Sequence, residues 1–118
     1  MKITRENLRR ELAGLDGLEV VEMNPGRFMS RTGKGMYAQY ATLPDYLNDL
    51  NACFVLALKL GFEIELIQYD VYSTATVTNH VLARQGWAME DNPRTAASLA
   101  ILSAHRGERV KLEDNDGT

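Results

Sequence analysis

Residues 91–109, DNPRTAASLAILSAHRGER, carry the start and stop signals of one complete helix. Asn92 is a favoured N-cap residue, and Pro93 suits the first helical position. Gly107 suits the position just past the C-terminal end of a helix. The residues between these signals are mostly small or apolar. The sequence therefore predicts a helix over residues 93–106.

A second main helix is predicted over residues 44–60. Pro44 suits its first position, and Gly61 suits the position just past its end. The second half of this helix is apolar on nearly all sides, so we expect it to be the most buried element of the fold. Its expected core face consists of Leu47, Leu50, Phe54, Ala57 and Leu58.

The chain between the two helices has the composition of β-strands. Residues 62–70 begin with a strict alternation of apolar residues and glutamate, which indicates a strand with one wet face. Residues 71–89 are rich in Val, Thr and Tyr, and we expect one or two strands there, broken near Gly86. Trp87 follows Gly86 and precedes the capped helix at 93–106, so we expect it to pack beneath that helix.

The N-terminal third of the chain contains shorter elements. Thr4 can cap a helix over about residues 5–13. Residues 18–23 have the composition of a short strand. Residues 24–37 open with a turn signal and contain three glycines, which indicates a mobile loop. Residues 38–42 are consistent with a short strand or with an extended lead-in to the next helix.

Together these elements predict an α+β fold. A small antiparallel sheet of about three to four strands is expected to pack with the main helices at 44–60 and 93–106, with the short helix at 5–13 added. No repeat or linker divides the sequence, so we expect a single domain over residues 1–118. Residues 113–118, EDNDGT, are expected to form a frayed tail.

The composition is that of a globular protein, and it argues against several classes of function. The chain has 118 residues, of which 45% are hydrophobic and 25% charged, with a net charge of −3. This balance makes nucleic-acid binding unlikely, because nucleic-acid binders usually carry a basic excess. The N-terminus is charged and no apolar run reaches the length of a membrane span, so we expect no signal peptide and no membrane association. The cytoplasm is the expected location.

The residue types that carry metal or catalytic chemistry are scattered along the chain. Cys53 lies in an apolar run, which is typical of a small buried core residue. His80 and His105 are the two histidines, and with one cysteine they do not supply the closely spaced ligands of a zinc site. Asp45 and Asp49 are one turn apart on the predicted helix, and we expect both to lie on its exposed face. We therefore predict no enzyme activity, no metal and no cofactor.

Basic residues concentrate in the predicted loop at 24–37. This segment contains Arg27, Arg31 and Lys34 and no acidic residue, and with Tyr37 these are the candidate binding residues. The segment is consistent with contact to an acidic partner, or with a phosphate cradle built from backbone N–H groups at its glycines. The glycine spacing differs from the Walker pattern, which favours a flexible surface loop.

Two segments resemble small proteins of tailed bacteriophages and prophages. The C-terminal pattern W…DNPRTAASLAILSAHRGERVKL is similar to that of the NinX-like and phage ABA-sandwich families, and ATLPDYLNDLNACFVLALKLG is similar to a helix opening of the same proteins. The shared positions are helix caps and core residues. The resemblance implies a small accessory phage protein with helices packed on a sheet, in the cytoplasm of the bacterial host, and it brings no active site with it.

The expected function is therefore non-enzymatic. The first hypothesis is a phage or prophage accessory protein that binds a host or phage protein, for example to modulate an anti-phage system, through the loop at 24–37 and exposed tyrosines. The alternative is a binder of a small ligand or nucleotide that uses the same basic loop against phosphate. A third possibility is a homodimer that associates through an exposed apolar face of the sheet.

Overall fold

The computed structural model describes residues 1–113, and these form three α-helices and eight β-strands. The helices are α1 (Arg5–Leu15), α2 (Leu50–Leu60) and α3 (Pro93–Arg106). The strands are β1 (Lys2–Ile3), β2 (Val20–Asn24), β3 (Arg27–Thr32), β4 (Gln39–Thr42), β5 (Phe62–Gln68), β6 (Ser73–Asn79), β7 (Arg84–Glu90) and β8 (Lys111–Leu112). The architecture is α+β, as the sequence predicts.

Helix α3 lies at the centre of the core and confirms the prediction for residues 93–106. The Asn92 side chain accepts a hydrogen bond from the Arg94 backbone N–H at 2.8 Å, and Gly107 ends the helix with a left-handed φ of 73°. Every residue from Thr95 to Ala104 is buried, because α3 contacts both other helices and all three strands β5–β7.

The main sheet has the strand order β5-β6-β7 and is an antiparallel meander packed on α3. This confirms the predicted strands, but the expected break near Gly86 is wrong. Gly86 lies inside β7, and the turn between β6 and β7 falls at residues 80–83. A Cβ atom at Gly86 would lie 2.2 Å from the Ala100 carbonyl oxygen, so this glycine permits close packing of the strand against α3.

Trp87 does not pack beneath α3, so that prediction is wrong as well. Side chains alternate along a strand, and Gly86 and Ala88 are the β7 residues buried towards α3. Trp87 therefore points to the opposite face of the sheet and is 40% exposed. The Arg109 guanidinium lies 5.1 Å from the centre of its ring.

A second antiparallel sheet, with the order β2-β3-β4, includes half of the segment predicted to be a loop at 24–37. Strand β2 confirms the predicted strand at 18–23, and β4 confirms the strand interpretation of residues 38–42. The loop prediction failed because residues 25–26 form a tight hairpin turn, with the Gly26 N–H bonded to the Glu22 carboxylate at 2.8 Å. Beyond β3, a short 3₁₀ turn covers Gly35–Tyr37.

Helix α2 begins six residues later than Pro44, the predicted start. The Asp45 carbonyl instead accepts hydrogen bonds from the N–H groups of Asn48 and Asp49, which closes a turn. Asp49 then caps α2, its carboxylate accepting from the Asn51 N–H at 3.0 Å. Asp45 and Asp49 therefore do not share a helix face.

The prediction that α2 is the most buried element is also wrong, because α3 takes that place. Within α2 only Cys53, Leu56 and Ala57 are buried. Of the five residues predicted to form its core face, Leu47 and Ala57 are buried and Leu50 is half-buried, whereas Phe54 and Leu58 are exposed.

The two ends of the described chain meet in a small parallel sheet, β1 with β8. Helix α1 begins next to it, capped by the Thr4 hydroxyl as predicted, and extends to Leu15. Of the predicted frayed tail at 113–118, Glu113 is tied down, since its N–H donates to the Ile3 carbonyl at 2.7 Å. The remaining residues, 114–118, lie outside the described part of the chain.

Candidate functional site

All four candidate binding residues lie on the small sheet β2-β3-β4, which with its connections spans residues 20–42 and is called the arm below. One face of the arm packs on α1. On that face Arg10 of α1 stacks over the Phe28 ring at 5.3 Å, and Val20 joins the edge of the core. Because side chains alternate along strands, the neighbours of Val20 and Phe28 point away from the helix.

The outer face of the arm combines apolar and basic side chains. The register pairs Val21 with Met29 and Arg31 with Tyr40, and all four lie on the side turned away from α1. Tyr40 is about half exposed. Arg27 follows the same alternation at the start of β3. Aromatic residues, methionine and arginine are the residue types enriched in protein interfaces.

Arg31 is held in place by Glu19, which directly precedes β2, and by Tyr40 of β4. Its guanidinium forms an ion pair with the Glu19 carboxylate and lies beside Tyr40. The hydrogen bond and the negative charge of Glu19 raise the pKa of Arg31. The Glu19 carboxylate also neutralises much of the field that Arg31 would present to an anion, so Arg31 is a positioned contact residue and not a free cation.

Arg27 and Lys34 are exposed but do not converge. Arg27 is the first residue of β3, and Lys34 follows the last residue of that strand by two positions. A six-residue strand alone spans roughly 17 Å between its end residues. The structure therefore does not bring the three basic residues together into a cradle of phosphate size.

The tip of the arm is apolar and open to solvent. Met36 and Tyr37 lie in the 3₁₀ turn and are 88% and 79% exposed, respectively. A tyrosine and a methionine at the end of a small sheet form a projection that a concave protein surface could receive. The tip therefore presents two exposed apolar side chains close in sequence to Lys34.

The two histidines, which the sequence offered as candidate metal ligands, lie in different parts of the structure. His80 is exposed and lies 2.8 Å from the Glu63 carboxylate, whereas His105 is exposed near the end of α3. Within residues 1–113 no group of three or more His, Cys, Asp or Glu side chains is placed to hold a metal ion.

Cys53 is fully buried in a small polar network that the sequence alone did not reveal. The Cys53 sulfur lies 3.0 Å from the Tyr46 carbonyl and 3.3 Å from the Ser98 hydroxyl, which itself donates to the Tyr46 carbonyl. Burial raises the pKa of the Cys53 thiol, so it stays protonated and unreactive at neutral pH. This agrees with the core role predicted for it.

Two further apolar surfaces are exposed outside the arm, and the sequence did not identify the residues of either. On α2, Phe54, Val55 and Leu58 form a solvent-facing stripe. On the main sheet, large apolar side chains emerge on the face opposite α3, namely Ile67, Trp87 and Met89. Amphipathic periodicity did not reveal either surface, because each lies on an element whose other side is also apolar.

Comparison with known proteins gives one informative similarity. No family model matches the chain, and no curated protein matches it either. The 2.0 Å crystal structure of a phage protein from Bacillus cereus ATCC 14579 superposes with a TM-score of 0.66 and 13% sequence identity, covering 92% of this chain and 93% of the other. The chain is similar in fold to that phage protein. At this identity the likeness concerns the fold alone.

The described residues contain no helix that is both long and apolar enough to cross a membrane.

Proposed function

We propose that this chain is an accessory protein of a tailed bacteriophage or prophage, acting without catalysis by binding a host or phage protein in the host cytoplasm. Two observations support the phage assignment. The fold is similar to that of a phage protein over nearly the whole chain. The sequence also resembles the NinX-like and ABA-sandwich families at residues that include the caps of α3, Asn92, Pro93 and Gly107.

The observation that carries the binding function is the exposed tip and outer face of the arm. Met36, Tyr37 and Tyr40 are large apolar side chains with much of their surface in water. Burying apolar surface contributes about 25 cal/mol per Å², so covering two or three such side chains would stabilise a complex by several kcal/mol before entropy costs. Lys34 is two residues before Met36, whereas Arg27 lies at the other end of β3. Both are exposed cations and favour a partner with acidic groups.

An inhibitor or modulator of an anti-phage system is the form of this function that we favour. Such a protein must recognise one host surface and requires no substrate pocket. The arm fits this task, because it presents exposed contact residues outside the hydrophobic core.

The alternative, a nucleotide or phosphate binder, receives less support from the geometry. It requires several N–H groups and cations to converge on one anion. Arg31 is paired with Glu19, and Arg27 lies at the start of β3 whereas Lys34 follows its other end. A thermal-shift screen of nucleotides tests it, since a ligand at a hundred times its dissociation constant adds about 2.7 kcal/mol of stability. A clear shift with one nucleotide would favour this alternative over protein binding.

The binding proposal is tested by affinity capture from bacterial lysate, with and without phage infection, read by quantitative mass spectrometry. Three proteins are compared: the wild type, the double variant Arg27→Glu/Lys34→Glu, and the tip variant Met36→Ala/Tyr37→Ala. We expect one protein enriched by the wild type and reduced at least tenfold by each variant, because a loss of about 1.4 kcal/mol lowers affinity tenfold.

Lys2→Glu is the matched control, because Lys2 is exposed on β1, away from the arm. Circular dichroism should show that each variant keeps its fold. Equal enrichment by the wild type and both arm variants would remove the arm from the binding site.

A further inference from the structure

We propose that the outer face of the main sheet is the interface of a two-fold symmetric homodimer of this chain. This face, called the outer sheet face below, is the side of β5, β6 and β7 turned away from α3. The proposal is independent of the function proposed for the arm. Nine side chains form it: Glu63, Glu65 and Ile67 on β5; Thr74, Thr76 and Thr78 on β6; and Gln85, Trp87 and Met89 on β7.

The register arranges these nine residues in three rows across the sheet. The first row is Glu63, Thr78 and Gln85. The second row is Glu65, Thr76 and Trp87. The third row is Ile67, Thr74 and Met89. In every row a threonine of the central strand stands between two different residues on the edge strands.

Two copies of this face are complementary when stacked around a two-fold axis parallel to β6. Such an axis places β6 over β6 of the second copy, and β5 over β7 of the second copy. Residues that face each other across the axis lie at the same height along the strands. Ile67 then faces Met89 of the partner subunit, and Glu63 faces Gln85 of the partner subunit. The threonines meet one another, and they are β-branched residues that pack well on a flat pleated surface.

The middle row supplies the charge complementarity. Within one chain, the Arg109 guanidinium lies 5.1 Å from the centre of the Trp87 ring. In the dimer, Glu65 faces Trp87 of the partner subunit and the Arg109 of the partner subunit that lies over that ring. Within residues 1–113, neither Glu65 nor Arg109 takes part in any ion pair of its own chain. The symmetry forms this pair twice, and each pair would bring a carboxylate to a cation already held on an indole ring.

The exposed apolar residues argue that this face is covered in the functional state. Trp87, Met89 and Ile67 are each at least 40% exposed. The apolar surface continues onto the turn after β5, where the Tyr69 and Tyr72 rings stack at 4.6 Å and Val71 is exposed. Contiguous apolar surface of this kind marks protein interfaces more often than ordinary solvated surface.

The size of the face sets the expected strength of association. Three strands of seven residues cover roughly 24 by 14 Å, which lies at the low end for specific interfaces even when the flanking turn is added. We therefore expect a weak, reversible dimer and not an obligate one.

Sedimentation velocity over a concentration series tests this proposal on the full chain. We expect the wild type to pass from monomer to dimer, and Thr76→Arg, which places two cations on the axis, to remain monomeric. The single variants Glu65→Arg and Arg109→Glu should each raise the dissociation constant at least tenfold, since each puts like charges opposite one another. The double variant Glu65→Arg/Arg109→Glu should recover most of the wild-type affinity.

Lys2→Glu and Gln39→Arg are controls that change exposed charge elsewhere, and both should dimerise like the wild type. Thermal unfolding checks that each variant is folded. A wild type that stays monomeric up to millimolar concentration would overturn the proposal. A dimer that persists in Thr76→Arg would also overturn it, as would a double variant no better than the single ones.

Discussion

At the scale of single residues, the closest approach in the core occurs at Gly86. The backbone of α3 crosses β7 there so tightly that even one added carbon would meet main-chain atoms at Ala100 and Ala104. Main-chain atoms in the middle of a helix cannot move aside without loss of hydrogen bonds. This contact fixes which face of β7 is buried, and it thereby sends Trp87 to the other side.

We therefore expect Gly86→Ala to lower the free energy of unfolding by about 3 kcal/mol or more, because the new Cβ would lie 2.2 Å from the Ala100 oxygen and 2.4 Å from the Ala104 nitrogen. Urea denaturation followed by circular dichroism measures the change. Gly14→Ala in α1 is the matched control. Its Cβ meets nothing within 4 Å, so it should raise stability by about 0.5–1 kcal/mol. Equal effects of the two substitutions would show that the close contact is not important.

At the scale of elements, the arm differs from the rest of the fold in how it is held. Its strands pair with one another and touch α1, whereas β5, β6 and β7 all pack on α3. None of the residues of β2, β3 and β4 is fully buried, and all four residues of β4 are exposed. An element with few buried apolar contacts has a low free energy of local opening.

This difference predicts unequal hydrogen exchange. The amides of β2, β3 and β4 should exchange much faster than those of β6, which is paired on both sides and alternates between fully buried and half-buried residues. Native-state hydrogen–deuterium exchange with mass spectrometry resolves the two segments. If the arm is the protein-binding element, a bound partner should slow exchange there selectively. Equal protection of β3 and β6 in the free protein would contradict this description of the arm.

At the scale of the whole molecule, a polar network ties together elements that are distant in sequence. The Tyr46 hydroxyl donates to the Asp16 carboxylate at the end of α1 at 2.7 Å, and Lys59 of α2 pairs with the same carboxylate at 3.0 Å. Below them, the Tyr46 carbonyl accepts from Ser98 of α3 at 3.0 Å. One turn before α2 thus connects all three helices.

Two groups of this network, Tyr46 and Cys53, make the free energy of unfolding decrease as the pH rises into the alkaline range. Burial, and then the Asp16 carboxylate, raise the pKa of Tyr46, and burial raises the pKa of Cys53. In the unfolded chain these groups ionise near about pH 10 and 8.5. Because the folded state holds both protons more tightly, stability is fully present below those values and falls as the pH rises above them.

Tyr46→Phe separates the tyrosine from other alkaline effects. It should cost about 1 kcal/mol near neutral pH, where one hydrogen bond is lost, and should make the decline above about pH 10 shallower than in the wild type. Denaturant unfolding at several pH values measures both effects. Parallel declines in the wild type and the variant would show that Tyr46 does not titrate on unfolding.

The sequence by itself determined the boundaries of α3 and its caps, the start of α1 at Thr4, the strand β5 and the α+β class. These features depend on hydrogen bonds and periodicities between residues a few positions apart. It also located the basic residues of the arm, because composition alone marks them. Only the tertiary structure decided the rest: the pairing of residues 24–37 into strands, the engagement of Arg31 by Glu19, and the outward direction of Trp87. Each of these depends on a contact between residues distant in the chain, whose presence local patterns do not record.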